Sequence, residues 1–186
     1  HSALLVPNGD FESGFDSWGY EFGGGGSYSA ETTGGNSGGY LQMNQATGWG
    51  AVAISTDNPL GGTLAEFGLT GETTADMQWD QQLISGSGAG MGIKVESWSE
   101  TGVISDSGDQ FFGNSDTGLW ETFSYSYTIA PGATRLKVVL LGVNNDSVMG
   151  FDNVTVLNGT AAVPVPAAAW LFGSALAGLV AVRRKK

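Results

Sequence analysis

Near its start the chain reads Asn8-Gly-Asp-Phe-Glu12, and near its end Phe151-Asp-Asn-Val154. In a strand, Asp10 and Glu12 project to one face while Phe11 turns inward, and Phe151 and Val154 bracket Asp152 in the same style. If the first and last strands pair, Asp10, Glu12 and Asp152 converge at one sheet edge, where they repel one another unless a cation intervenes. Ca2+ takes roughly six to eight oxygen ligands and suits such a group as a structural ion. The same three residues also read as plain strand-end carboxylates and turn formers.

A second set places aromatic rings beside polar side chains. Gln78, Asp80 and Gln82 alternate along one strand face, and Glu96 and Trp98 along another; Trp49 stands just ahead of the small-residue run AVAIS. Sugar rings present C–H faces that pack on an indole, while amides and carboxylates bond their hydroxyls. Gln78, Asp80, Gln82, Glu96 and Trp98 are therefore candidates for the floor of a concave cleft, with Trp49 a further candidate for sugar contact. Trp18, Trp79 and Trp120 read as core or edge packing.

Other chemistries are poorly served. The only histidine is His1, so a Ser-His-Asp arrangement within the fold is nearly excluded. With no cysteine, there is neither a disulfide framework nor a thiolate metal site. Asp80 and Glu96 are the one carboxylate pair that suggests a glycosidase, and among 18 acidic residues such pairs arise by chance. We expect no enzyme. Asn145-Asp-Ser, Asn153-Val-Thr and Asn158-Gly-Thr fit the N-glycosylation pattern but read as turn and strand residues.

The elements that must position these residues are strands. Candidates separated by Gly, Asn, Ser and Asp breakers are Tyr40 to Met43, Gly50 to Ser55, Met77 to Leu83 and Met91 to Trp98. Glu121 to Ile129, Leu136 to Val143 and Phe151 to Leu157 complete the set. Alternation is clearest in ETFSYSYTI, where Phe123, Tyr125, Tyr127 and Ile129 share one face. The stretches Gly23 to Gly26 and Gly34 to Gly39 read as loops. No segment in the first 158 residues shows sustained helical periodicity. The expectation is an all-β, jelly-roll β-sandwich over residues 1–158, then a short linker over 159–163.

The last 23 residues, 164–186, differ from everything before them. Val163-Pro164-Val165-Pro166 leads into an uncharged apolar run over 167–182, closed by Arg183, Arg184, Lys185 and Lys186. As a helix the run is roughly 24 Å long, slightly short of a bilayer core. We expect a single C-terminal transmembrane helix whose basic end stays cytoplasmic, with the rest outside. Removing the tail leaves three cationic residues, Lys94, Arg135 and Lys137, against 18 acidic ones, a net charge of about −15. That field repels nucleic acid and anionic lipid and leaves carboxylates available for a divalent cation. The chain opens at His1 rather than Met, as removal of a signal peptide would leave it.

In its three-part order the tail resembles a PEP-CTERM sorting signal, with Val-Pro-Val-Pro in place of Val-Pro-Glu-Pro. The resemblance implies export across the inner membrane of a Gram-negative bacterium and recognition by an exosortase. That enzyme would process the tail near Val163 to Pro166, with Arg183 and Arg184 part of the signal. An ordinary C-terminal anchor helix is the plainer alternative, and both place the ectodomain outside the cytoplasm, at the cell surface or in the extracellular matrix.

The ectodomain carries a second resemblance. Its opening, LLVPNGDFESGFDSWGY, and its close, WETFSYSYTIAPGATRLKVVLLGV with FDNVTV, resemble carbohydrate-binding modules of the family 4, 9 and 22 type. The resemblance implies a calcium-containing jelly roll, with carbonyls of the Gly34 to Gly39 loop completing the metal shell. It also implies a sugar-binding role for Trp49. The late acidic residue that family-22-type modules carry has no equivalent in LKVVLLGV. Two function classes follow. One is a non-catalytic surface or biofilm-matrix module that binds polysaccharide, such as the cell's own exopolysaccharide. The other is a structural matrix protein with the same fold and no sugar site.

Overall fold

The computed structural model describes residues 4–23, 26–45, 49–54, 61–86, 90–115, 117–143 and 146–159, the side chains of 20–23, 45 and 49–54 excepted. The sorting-signal residues Val163, Pro164, Val165, Pro166, Arg183 and Arg184, and the apolar run between them, lie outside the described residues. Among the described residues no helix is long and apolar enough to cross a membrane.

Among the described residues thirteen strands form two antiparallel sheets. They are β1 (Leu4–Leu5), β2 (Trp18–Gly23), β3 (Ser27–Gly35), β4 (Gly38–Gln45), β5 (Trp49–Ile54), β6 (Gly62–Thr63) and β7 (Thr74–Ser85). Then come β8 (Gly90–Ser99), β9 (Gly102–Asp106), β10 (Gln110–Phe112), β11 (Trp120–Thr128), β12 (Arg135–Val143) and β13 (Ser147–Val156). The first sheet runs β11-β7-β13-β4-β3, with β1 also on β13; the second runs β10-β8-β12-β5-β2, with β9 also on β8 and β6 on β12. Every candidate strand from the sequence lies at least mostly within one of these elements.

Period-two alternation builds the core between the sheets. Ala75, Met77 and Trp79 of β7 and Leu41 and Met43 of β4 point inward from the first sheet, joined by Met149, Phe151, Val154 and Val156 of β13. Met91, Ile93 and Val95 of β8 and Leu136, Val138 and Leu140 of β12 meet them from the second. Among the described residues the continuous core runs from Val6 to Val156. One inward polar residue, Gln81, is fully buried and satisfied. Its Oε1 accepts from Trp79 Nε1 at 2.9 Å, and its Nε2 donates to Phe112 O at 2.7 Å and Asn114 Oδ1 at 3.0 Å.

The first and last strands do pair, Leu4 opposite Val156 and Leu5 opposite Thr155. The segment after β1 is a looped turn rather than the expected strand. Asn8 and Phe11 take positive φ (49° and 53°), and the Asn8 side chain ties the loop by donating to Gly14 O and Asp16 O and accepting from Ser13 N. Phe11 is buried as expected, its ring 5.1 Å from that of Trp18, but a left-handed backbone puts it there. The Gly34 to Gly39 stretch is a tight hairpin: Gly34 and Gly35 end β3, Asn36 and Ser37 turn, and Gly38 opens β4.

Candidate functional site

Residues of even number in β8 and odd number in β12 point to the outer face of the second sheet, away from the core. Cross-strand register sets Glu96 opposite Lys137 and Trp98 opposite Arg135, while Asp106 of β9 lies opposite Glu96 on its other side. Trp98 donates its Nε1–H to Glu96 Oε2 at 2.8 Å, and Lys94 Nζ lies 2.7 Å from Glu96 Oε1. Lys137 Nζ stands 5.3 Å from the centroid of the Trp98 ring, within cation–π range. Arg135 Nε donates to Glu100 Oε1 at 3.1 Å and its Nη1 to Gly61 O at 3.1 Å.

Glu96 and Lys137 are each only 6% exposed, whereas Trp98 is half-buried. Burial pulls the Lys94 ammonium towards a lower pKa, but the Glu96 carboxylate, with Asp106 and Asp109 behind it, outweighs burial and holds it above its ordinary value. Val139 and Leu141 form a small apolar cluster of their own beside these charges on β12. All three basic residues outside the tail thus share one sheet face with Glu96 and Trp98. An indole framed by charged donors and acceptors is the arrangement that binds a polyol: the ring packs on C–H groups and the ionic groups bond hydroxyls.

The five residues expected to floor one cleft, Gln78, Asp80, Gln82, Glu96 and Trp98, do not line one surface. Glu96 and Trp98 lie on β8 and the Trp49 backbone on β5, opposite Val143, all in the second sheet; the Trp49 side chain lies outside the described residues. Gln78, Asp80 and Gln82 lie on β7, in the first sheet. Chain alternation fixes which residues share a face of one strand, but β7 and β8 belong to different layers. Asp80 and Glu96 therefore sit on opposite outer faces of the sandwich and form no acid–base pair.

On the outer face of the first sheet Asp80 is buried and tied down. It accepts from Asn36 Nδ2 at 2.8 Å, Asn153 Nδ2 at 2.9 Å and Thr122 Oγ1 at 2.6 Å. Asp152 is its direct cross-strand neighbour. Asp152 is fully buried, accepting from Ser37 N at 3.0 Å and Asn153 N at 2.7 Å. Burial, with the Asp80 charge beside it, outweighs these amides and raises its pKa from 3.8 to about 6. Glu12 reaches the same hairpin from the other side and accepts from Gly39 N at 2.8 Å.

Of the three proposed metal ligands, Glu12 and Asp152 are brought to the Gly34 to Gly39 turn. Asp10 is not seen there: its Oδ1 accepts from Glu12 N at 3.4 Å, a long turn contact. The described residues hold no group of three acidic or histidine side chains spaced to ligate a metal. The turn presents backbone amides to both carboxylates. The pocket is nonetheless shaped by missing side chains. A Cβ on Gly38 would collide with the Glu12 carboxylate, and one on Gly35 would fall 2.9 Å from Asp152 Oδ2.

The sequence reading missed Lys94, Arg135 and Lys137, although the alternation in KVESW and RLK contains them. It also missed Asn36 and Asn153, for which only the turn context of Asn-Ser-Gly and Asp-Asn gives a signal. Asn153 takes φ 50° at the irregularity of β13, and Asn158 donates to Thr74 O and accepts from Asp76 N, so two of the three sequons are structural.

No protein-family model matches the chain, and no curated protein matches it. Solved structures do. The chain is similar to the enzymatically active domain of bacteriophage CBA120 tailspike protein 4, with 11% identity and TM-score 0.61 over 82% of this chain, but spans only 21% of that one. It is similar over nearly the whole length of two smaller proteins. One is a family 16 carbohydrate-binding module (16% identity, TM-score 0.55, 83% of this chain and 99% of that). The other is the C-terminal family 22 carbohydrate-binding module of Clostridium thermocellum Xyn10B (14% identity, TM-score 0.55, 86% and 99%). At these identities the likeness is one of fold: this chain is an antiparallel β-sandwich of the architecture found in carbohydrate-binding modules.

Proposed function

We propose that this protein is an exported, non-catalytic module that binds polysaccharide on the outer face of its second sheet. The observation that carries this reading is the half-buried Trp98 indole held between Glu96 and Lys137, with Lys94 and Arg135 alongside. An antiparallel β-sandwich fold similar to that of whole carbohydrate-binding modules supports it. Trp98 stacks on a sugar ring, the exposed Asp106 accepts from hydroxyls and Lys94 and Arg135 donate to them, while the buried Glu96 and Lys137 hold the indole in place.

Structural calcium belongs to the same reading. Glu12 and Asp152 supply carboxylate oxygens at the glycine hairpin, with Asp10 the third candidate, and the ion neutralises a buried charge that otherwise has only amides. The tail completes it: a PEP-CTERM-like signal, read by an exosortase, retains the protein transiently in the inner membrane of a Gram-negative bacterium before it reaches the surface or matrix.

Titration with a polysaccharide panel that includes the producing cell's exopolysaccharide, followed by Trp fluorescence, tests the reading. Saturable binding is expected. A folded protein that binds nothing in the panel would leave the structural matrix role in its place.

A further inference from the structure

The sandwich ends in four sheet edges, and three of them are blunted. β3 carries Glu31 and loses register between Glu31 and Gly35. β2 is bulged between Tyr20 and Phe22. The third is broken into β9 and β10, of five and three residues, with Asp106 ending β9 and Asp109 between the two. Such bulges, charges and short lengths are the devices that stop sheets adding to one another.

β11 has none of them along most of its length. It pairs with β7 through nine consecutive residues without a register shift. From Thr122 to Ala130 it carries no charge, in a chain with 18 acidic residues. Just past the strand, Ile129 N donates to Thr73 O at 2.9 Å. By alternation Phe123, Tyr125 and Tyr127 bond to β7, and the N–H and C=O groups of Thr122, Ser124, Ser126 and Thr128 face the open side. No described residue bonds them there. On the inner face Phe123 and Tyr125 are left half-exposed at the sandwich margin.

We propose that β11 is the edge along which a second copy of this chain adds to the sheet. The strand is complementary to itself. A two-fold axis normal to the sheet at Tyr125 sets Thr122 opposite Thr128 and Ser124 opposite Ser126, so the free donors and acceptors meet in pairs. The same operation brings the half-exposed Phe123 and Tyr125 rings of the two copies together on the inner side. Two strongly acidic domains repel one another elsewhere, and this uncharged edge is where they meet at least electrostatic cost.

Sedimentation of the full chain in mild detergent, for wild type, Ser124→Pro and Ser124→Lys, tests the proposal. The Ser124 N–H lies on the open side, so proline removes a junction donor without removing a bond to β7. Lysine places like charges side by side across the junction. The wild type is expected as a dimer and both variants as monomers, with unchanged near-UV circular dichroism. If the proline variant does not fold, or the two disagree, the lysine variant decides. A monomeric wild type overturns the proposal. So does a dimer that survives the deciding substitution, since it is then held elsewhere, for example by the apolar run of the tail.

Discussion

Trp98 and Glu96, two residues apart on β8, are joined by a 2.8 Å hydrogen bond from the indole N–H to a carboxylate only 6% exposed. Lys94 bonds the other oxygen of that carboxylate at 2.7 Å. Glu96 thus fixes the plane of the indole and the position of a cation at once. Replacing it with glutamine removes the charge and leaves Lys94 with no carboxylate at that distance. Glu96→Gln is expected to destabilise the fold by about 1–3 kcal/mol, read as a lower urea midpoint at unchanged m-value. It should also weaken any sugar binding, because the ring is no longer held in place.

Asp152 makes the metal-free protein less stable as pH rises. Its folded pKa of about 6 lies above the ordinary 3.8, so between these values the folded state holds a proton that the unfolded chain has lost. The stabilisation is fully present below pH 3.8 and is lost as pH rises through about 6. The gap corresponds to roughly 3 kcal/mol. Urea unfolding in chelator across this range should show the loss in wild type, and Asp152→Asn should lack this component. An identical pH profile in the two proteins would refute the assignment.

A calcium ion held at this hairpin would act in the opposite sense, since a cation favours the ionised carboxylate. Added Ca2+ should raise the melting temperature more at pH 7 than at pH 5, and chelator should reverse it. Gly38→Ala should abolish the response, because its Cβ would occupy the space beside Glu12 and its φ of 84° suits glycine alone. Melting curves that are the same with Ca2+ and with chelator would remove the metal from the account.

Trp79 is the pivot of the core on the β10 side. Its ring lies 5.1 Å from Phe112 and 6.3 Å from Phe123, and its N–H satisfies the buried Gln81. Trp79→Ala combines a cavity with an orphaned acceptor and is expected to cost about 3–5 kcal/mol. Differential scanning calorimetry would read this as a large fall in melting temperature. A shift of only a degree or two would mean that the core does not close on this ring.

The strands that the sequence announces are β4, β5, β7, β8, β11, β12 and β13, and those of them with described side chains carry an apolar inward face. β3 was missed because it is an edge strand of Ser, Thr and Gly with no buried row, and β1, β6 and β10 are too short to show alternation. The pairing of first and last strands was expected only as a feature of the fold class, and the two-residue β1 that makes it leaves no alternation to read. The site was half legible. Alternation puts Glu96 and Trp98 together, but which layer β7 joins is decided by long-range pairing, and no local pattern records that. The hairpin donors Ser37 and Gly39 escaped because backbone amides leave no mark in a sequence beyond the glycines that make room for them.

The most direct test compares sugar binding by Trp98→Ala with that by Trp120→Ala. Trp120 is the half-buried indole of the other outer face, packed edge-on at 5.5 Å from Tyr40. Isothermal titration of wild type and both variants with a polysaccharide that the wild type binds separates the two faces. The expected result is at least a tenfold loss of affinity in Trp98→Ala, about 1.4 kcal/mol, with Trp120→Ala close to wild type. Full affinity in a folded Trp98→Ala protein would contradict the assignment of the binding face.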